Sequence, residues 1–184
     1  KISSQSLQKV TPPNVHAALI EELTKQIWNL GKTHMNQVQT IRESLSDRQA
    51  KVVILAHQGS DIEYQSYYDL SLHAGVIRDL LNRPVEFVPD VCGPYAVERI
   101  KAMKPGDIVL LDNVRFMAEE MTLFETRLNL TPEQQAQTIV VKRLAPLADL
   151  YVCDAFAAAH RAQPTLVGFE QVLPSAMGRL FEKE

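Results

Sequence analysis

Three stretches of this chain are apolar without a break, and each runs straight into a polar loop. Lys51 leads into Val52-Val53-Ile54-Leu55-Ala56, followed by His57-Gln58-Gly59. Asp107 leads into Ile108-Val109-Leu110-Leu111, followed by Asp112-Asn113-Val114-Arg115-Phe116. Leu150-Tyr151-Val152-Cys153 is followed by Asp154-Ala155-Phe156-Ala157-Ala158-Ala159-His160-Arg161. A short apolar run without alternation is what a strand carries when both its faces are covered, as in a parallel sheet. Helical patterns fill the gaps. One spans 70–81 and leads through Arg83-Pro84 to a further strand at 85–88; another spans 95–103 and is closed by Pro105-Gly106. After a polar loop at 117–129, Thr131-Pro132-Glu133-Gln134 combines an N-cap, a proline at the first helical position and a glutamine at the third, so a helix starts there and runs toward Leu144, where Pro146 stops it. The order β-α-β-α-β-α-β predicts an α/β fold: a parallel sheet wrapped by helices on both faces, three-layered and Rossmann-like, with right-handed crossovers.

The segment ahead of Lys51 reads differently. A polar lead-in ends at Pro12-Pro13, and Asn14 then caps a helix whose apolar positions Val15, Ala18, Leu19, Leu23, Ile27 and Leu30 recur at helical spacing until Gly31. A second helix is expected over 35–45. The expected organisation is therefore a helical segment over 1–50 and an α/β domain over 51–184. Trp28 and Met35 lie on helical stripes and read as core.

Composition narrows the function. A net charge of −3 with a pI near 6.0 gives no footing for nucleic acid, so any basic site is local. Cys92 and Cys153 lack the spacing of a zinc site or a disulfide framework, which suits a reducing cytoplasm or organelle interior. No apolar run approaches the roughly 20 residues of a membrane span. There is no GxGxxG and no GxxxxGK[ST] loop, so no nucleotide site is evident.

What remains is the carboxyl edge of the inferred sheet, where ligands of open α/β folds bind. His57, Arg115 and the His160-Arg161 pair all leave strands at that edge. Each has an ordinary explanation: His57 as a turn histidine, Arg115 as a partner of Asp112 or another acid, and Ala157 to Ala159 as the first turn of a closely packed helix. Their convergence favours a phosphate-type anion, because the arginine fork matches phosphate oxygens bidentately. The adjacent acids Glu21-Glu22 and Glu119-Glu120 read as solvated.

These motifs also resemble those of the N-terminal domain of the phosphoglycerate kinase family. The likeness rests on residues 51–59, on Lys104-Pro105-Gly106-Asp107 leading into 110–120, and on Leu144-Ala145-Pro146-Leu147-Ala148-Asp149. It continues through Asp154-Ala155-Phe156 to Ala159-His160-Arg161, then Val167-Gly168-Phe169 and residues 173–180. The resemblance implies the glycerate-binding half of a kinase that moves a phosphoryl group between 1,3-bisphosphoglycerate and ADP in glycolysis. It also implies that His57, Gly59, Ser60, Arg115 and Arg161 bind 3-phosphoglycerate. No catalytic residue and no cofactor are expected in this chain itself, since Mg-ADP or Mg-ATP would sit on a separate nucleotide-binding domain or partner. Departures accompany the likeness. The family's Arg-Val-Asp-x-Asn motif is not found before Lys51, where the 15–30 helix is expected instead; the arginine facing the transferred phosphoryl group falls near Thr33; His-x-Gly-Arg-Pro has become His57-Gln58-Gly59-Ser60-Asp61; and Cys153 replaces the asparagine before Asp-Ala-Phe. Phosphoryl transfer relies on charge stabilisation, so the chain alone is expected to be inactive as a kinase. The alternative is a kinase-derived subunit without activity, docking through the helix that bears Trp28.

Overall fold

A computed structural model describes residues 18–21 as backbone, together with 41, 49–60 and 66–184. Six strands form one sheet: β1 (Ala18–Glu21), β2 (Val52–Leu55), β3 (Glu86–Val88), β4 (Ile108–Leu111), β5 (Leu150–Cys153) and β6 (Ser175–Met177). Their order is β3-β4-β2-β1-β5-β6, and every pairing is parallel. Register is set in the middle of the sheet, where Ile20 lies opposite Ile54 on one side and Val152 on the other.

The strands sort their side chains by parity into two apolar layers. Val52, Ile54, Ile108, Leu110, Leu150 and Val152 point to one face, where α1 (Ser71–Leu81) covers them with Ala74, Ile77 and Leu81; Ile41 is buried in the same cluster. Val53, Leu55, Val109, Leu111 and Tyr151 point to the other. There α2 (Pro94–Lys101) contributes Ala96 and Ile100, while Val140, Val141 and Leu144 come from a later helix, α5 (Ile139–Leu144). The three-layer α/β architecture is thus present as the strand runs require. Tyr151 stacks on Phe169 with ring centroids 5.3 Å apart, and its hydroxyl donates to the Thr165 carbonyl at 2.6 Å. A buried aromatic thereby satisfies its polar end.

Three expectations need correction. Residues 18–21 are a strand, not the middle of a 15–30 helix. Ala18-Leu19-Ile20 is an apolar triplet that serves a helical stripe or a buried strand equally well, and pairing with both β2 and β5 satisfies its backbone from two sides. Because β1 belongs to the same sheet, a boundary at residue 50 does not separate it from the α/β domain. The rest of that helix, and the 35–45 helix apart from Ile41, lie outside the described residues. Second, the 117–129 loop contains α3 (Thr122–Leu128), and the single helix expected from 131 is two. These are α4 (Pro132–Gln135), which opens with the anticipated capping box, and α5; the Thr138 hydroxyl donates to the Gln135 carbonyl at 2.6 Å between them. Third, β6 was not anticipated, since Ser175-Ala176-Met177 carries no apolar run; the helix α6 (Arg179–Lys183) follows it.

In this strand order, β1 connects toward β2 and β5 toward β6, in opposite directions. The crevice that such a reversal opens lies at the carboxyl ends of β1 and β5.

Candidate functional site: three loops on the carboxyl edge

The loop after β4 begins as a hydrogen-bonded hub. Asn113 is fully buried, and its side-chain oxygen accepts from the backbone N–H of Gln58 at 3.0 Å and of Arg115 at 3.1 Å. Its amide group donates to the carbonyls of Gln58 at 2.9 Å and Tyr68 at 3.0 Å. An asparagine offers two acceptor sites and two donors, and all are used. The 3-10 turn Val114–Phe116 follows, pinned by Val114 N–H to the Ala56 carbonyl at 3.1 Å. Tyr67 donates its hydroxyl to the Arg115 carbonyl and packs edge-on against Phe116. Arg115 is half-buried in this turn. Asp112, the partner anticipated for it, instead accepts the N–H of Leu70 at 3.2 Å and of Asn113 at 2.7 Å. Burial holds the Asp112 carboxyl above the usual range.

His57 ends β2's extension and is only 3 % exposed. Its Nε2 lies 2.9 Å from Glu120 Oε2. Glu120, at the end of the 3-10 turn Ala118–Glu120, has no exposed surface. Thr165 donates its N–H to Oε1 and its hydroxyl to Oε2 of Glu120, both at 2.8 Å, and Gln163 Nε2 donates to the Glu120 carbonyl at 3.1 Å. Arg161, just upstream, meets Glu125 of α3 at 3.4 Å and donates to the Thr122 hydroxyl at 2.8 Å, with about a fifth of its side chain exposed. Ala162 N–H also binds Glu125 at 3.0 Å. Gly59 and Ser60 are half-buried, and Gly59 has φ 83°, a left-handed turn that glycine adopts without cost. His160 is exposed.

Two of the three cationic residues expected at this edge therefore have carboxylate partners. His57 is sealed against a carboxyl group, and Arg161 is braced by another on α3. Two clefts indent the surface nearby. One, of about 580 Å³, is bordered by Gln58, Asp69, Ser71 and His73; the other, of about 320 Å³, by Asp90, Cys92, Asp112, Met117 and Arg143. Neither is walled by any of the three cationic residues. In the second, burial pushes the Cys92 thiol up, against the pull of Arg143, so it is a poor nucleophile. Among the described residues, no group of three His, Cys, Asp or Glu is placed to hold a metal ion.

Of the acid pair read as solvated, Glu120 is fully buried and Glu119 half-buried, and both are engaged. Glu119 accepts the N–H of Ile139 at 2.8 and 2.9 Å and of Val140 at 3.2 Å, capping α5, while Glu120 is the buried hub. Asp154 caps α6 through the N–H of Leu180 at 2.9 Å and Phe181 at 3.2 Å. Sequence reasoning also missed Asn113 and Thr165 as organisers. For Asn113 the available signal was a polar residue two positions past a buried strand, where backbone groups need partners; Thr165 carried no such signal.

Comparison with known proteins adds to this geometry. The family model described as phosphoglycerate kinase matches residues 24–184. The chain is 47 % identical over 146 residues to the phosphoglycerate kinase of Sulfurisphaera tokodaii, covering 79 % of this chain and 33 % of that protein. It is 49 % identical over 135 residues to that of Pyrococcus furiosus, covering 73 % of this chain and 31 % of the relative. The crystal structure of phosphoglycerate kinase from Pyrococcus horikoshii superposes with a TM-score of 0.82 at 35 % identity, over 96 % of this chain and 43 % of that one. The Coxiella burnetii enzyme shares the fold with a TM-score of 0.69. The chain spans about a third of the length of the curated relatives it matches.

Proposed function

This chain belongs to the phosphoglycerate kinase family, and we propose that it is the glycerate-binding half of such a kinase. Its ligand is 3-phosphoglycerate, held at the carboxyl edge by Arg115 and Arg161 with Gly59 and Ser60 beside them. His57 supports these loops from behind. Mg-ADP or Mg-ATP belongs to a nucleotide-binding domain outside the 184 residues, and without it the chain binds but does not transfer phosphoryl groups. The working compartment is the cytoplasm or an organelle interior.

The observation that carries this reading is the arrival of the Arg115 and Arg161 loops at the carboxyl edge of a family-type sheet, Arg115 half-buried and about a fifth of the Arg161 side chain exposed. Arg161 is already paired, but one carboxylate at 3.4 Å leaves guanidinium donors for a phosphate. Calorimetric titration of the chain with 3-phosphoglycerate tests it: binding in the millimolar range or tighter is expected. Arg115→Ala removes a charge-assisted contact of about 1.5 to 3 kcal/mol, a loss of at least tenfold. Absence of heat at saturating ligand, or an unchanged affinity in Arg115→Ala, defeats the proposal.

A further inference from the structure

We infer that Glu120 is a positioning residue, clamping the three loops of the carboxyl edge together and keeping a proton on Nε2 of His57. The inference rests on the glycerate-binding reading for its consequence, but not for its geometry. Asn113 links two loops, those after β2 and β4. Glu120 links all three: its side chain holds His57 after β2 at 2.9 Å, its own backbone belongs to the turn that continues the Arg115 loop, and Thr165 and Gln163 bind it from just beyond Arg161. With no exposed surface, it reaches the ligand only through these loops.

The proton assignment follows from donors and acceptors. A carboxylate only accepts, so the His57 nitrogen facing Oε2 is the one that carries hydrogen. Changing Glu120 to glutamine reverses this. The Thr165 N–H is a fixed backbone donor 2.8 Å from Oε1, so the glutamine carbonyl must stay on that side. The new NH2 group then occupies the Oε2 position, facing His57 Nε2. Two N–H donors cannot share that contact, so the ring proton moves to Nδ1, while the Thr165 hydroxyl turns to accept.

The test is made on the full chain with two readouts. Ring ¹⁵N shifts of His57 should report hydrogen on Nε2 in the unmodified protein and in Thr165→Val, and on Nδ1 in Glu120→Gln. Titration with 3-phosphoglycerate should show a loss of about tenfold or more in Glu120→Gln, a size set by charge-assisted contacts falling out of register. Simple loss of packing would not move a ring proton. A bare Nε2 in the unmodified protein, a proton that stays on Nε2 in Glu120→Gln, or a moved proton with unchanged affinity each overturns the inference. Should the unmodified chain bind no 3-phosphoglycerate, the glycerate-binding reading fails instead. The clamp is then judged by amide exchange. Faster exchange confined to 57–58, 114–116 and 163–165 in Glu120→Gln upholds it, and unchanged or uniformly raised exchange refutes it.

Discussion

Replacing Asn113 by alanine should destabilise the protein by about 3 to 4 kcal/mol. The side chain is fully buried and makes four hydrogen bonds between 2.9 and 3.1 Å, three of them to the His57 and Arg115 loops. At about 1 kcal/mol net for each bond the loss is about 4 kcal/mol. The bonds to the Tyr68 carbonyl and from the Arg115 N–H are only part-buried, so water recovers some of each. Asn113→Asp is the sharper perturbation: it keeps the acceptor for Gln58 and Arg115 but turns both donors into acceptors facing carbonyls, and it adds a buried charge. Aspartate should therefore cost more than alanine, although it is closer in shape. Urea unfolding followed by circular dichroism measures both. With a slope of about 2 kcal/mol/M, the midpoint of Asn113→Ala should fall by about 1.5 to 2 M. A shift below about 0.5 M, or an aspartate variant more stable than the alanine one, would refute the hub.

Two further substitutions probe other parts of the edge. A Cβ on Gly178 would sit 2.2 Å from Asp154 Cγ and 2.4 Å from Oδ1. Gly178→Ala must displace the carboxylate that caps α6, costing about 1 to 3 kcal/mol in overpacking and about 1 kcal/mol for the cap, and the thermal midpoint should drop by about 5 to 15 °C; an unchanged midpoint counts against the cap. His73 is buried on α1 with neither ring nitrogen hydrogen-bonded, and burial holds its pKa below 6.5 despite the nearby Asp69. The unfolded chain then binds more protons as pH falls through 6.5, so stability is full above that value and declines below it. His73→Leu should match or exceed the native stability at neutral pH and flatten the acid-side decline in urea midpoints; an equally steep decline would discount His73 as its source.

The parts of the fold visible in the residues were those decided by local pattern. Runs such as 52–56 and 107–111 announce doubly covered strands because nothing in them alternates, and Thr131-Pro132-Glu133-Gln134 contains both halves of a capping box. Ala18-Leu19-Ile20 misled because its helical period and its strand character are equally good, and only partners far along the chain choose between them. At the carboxyl edge, the strands that deliver these loops were legible but the partners of their charged side chains were not. His57, Arg115 and Arg161 look like bare cations in a string of letters. The carboxyl groups that engage His57 and Arg161 lie 63 residues from one and 36 from the other, on turns that polar composition hid. Glu119-Glu120 resembles any solvated acid pair until Ile139 and Thr165 are brought against it.

The place of β1 carries a consequence for how the chain assembles. It is the seam between β3-β4-β2 on one side and β5-β6 on the other, and its partners Val52 and Leu150 stand nearly a hundred residues apart in the chain. A polypeptide trimmed past Glu21 would hold two half-sheets, each with a raw edge of unpaired N–H and carbonyl groups open to neighbouring chains. Expression of such a shortened chain should therefore yield aggregates, and adding residues 18–21 back as a separate peptide would compete for the same edges.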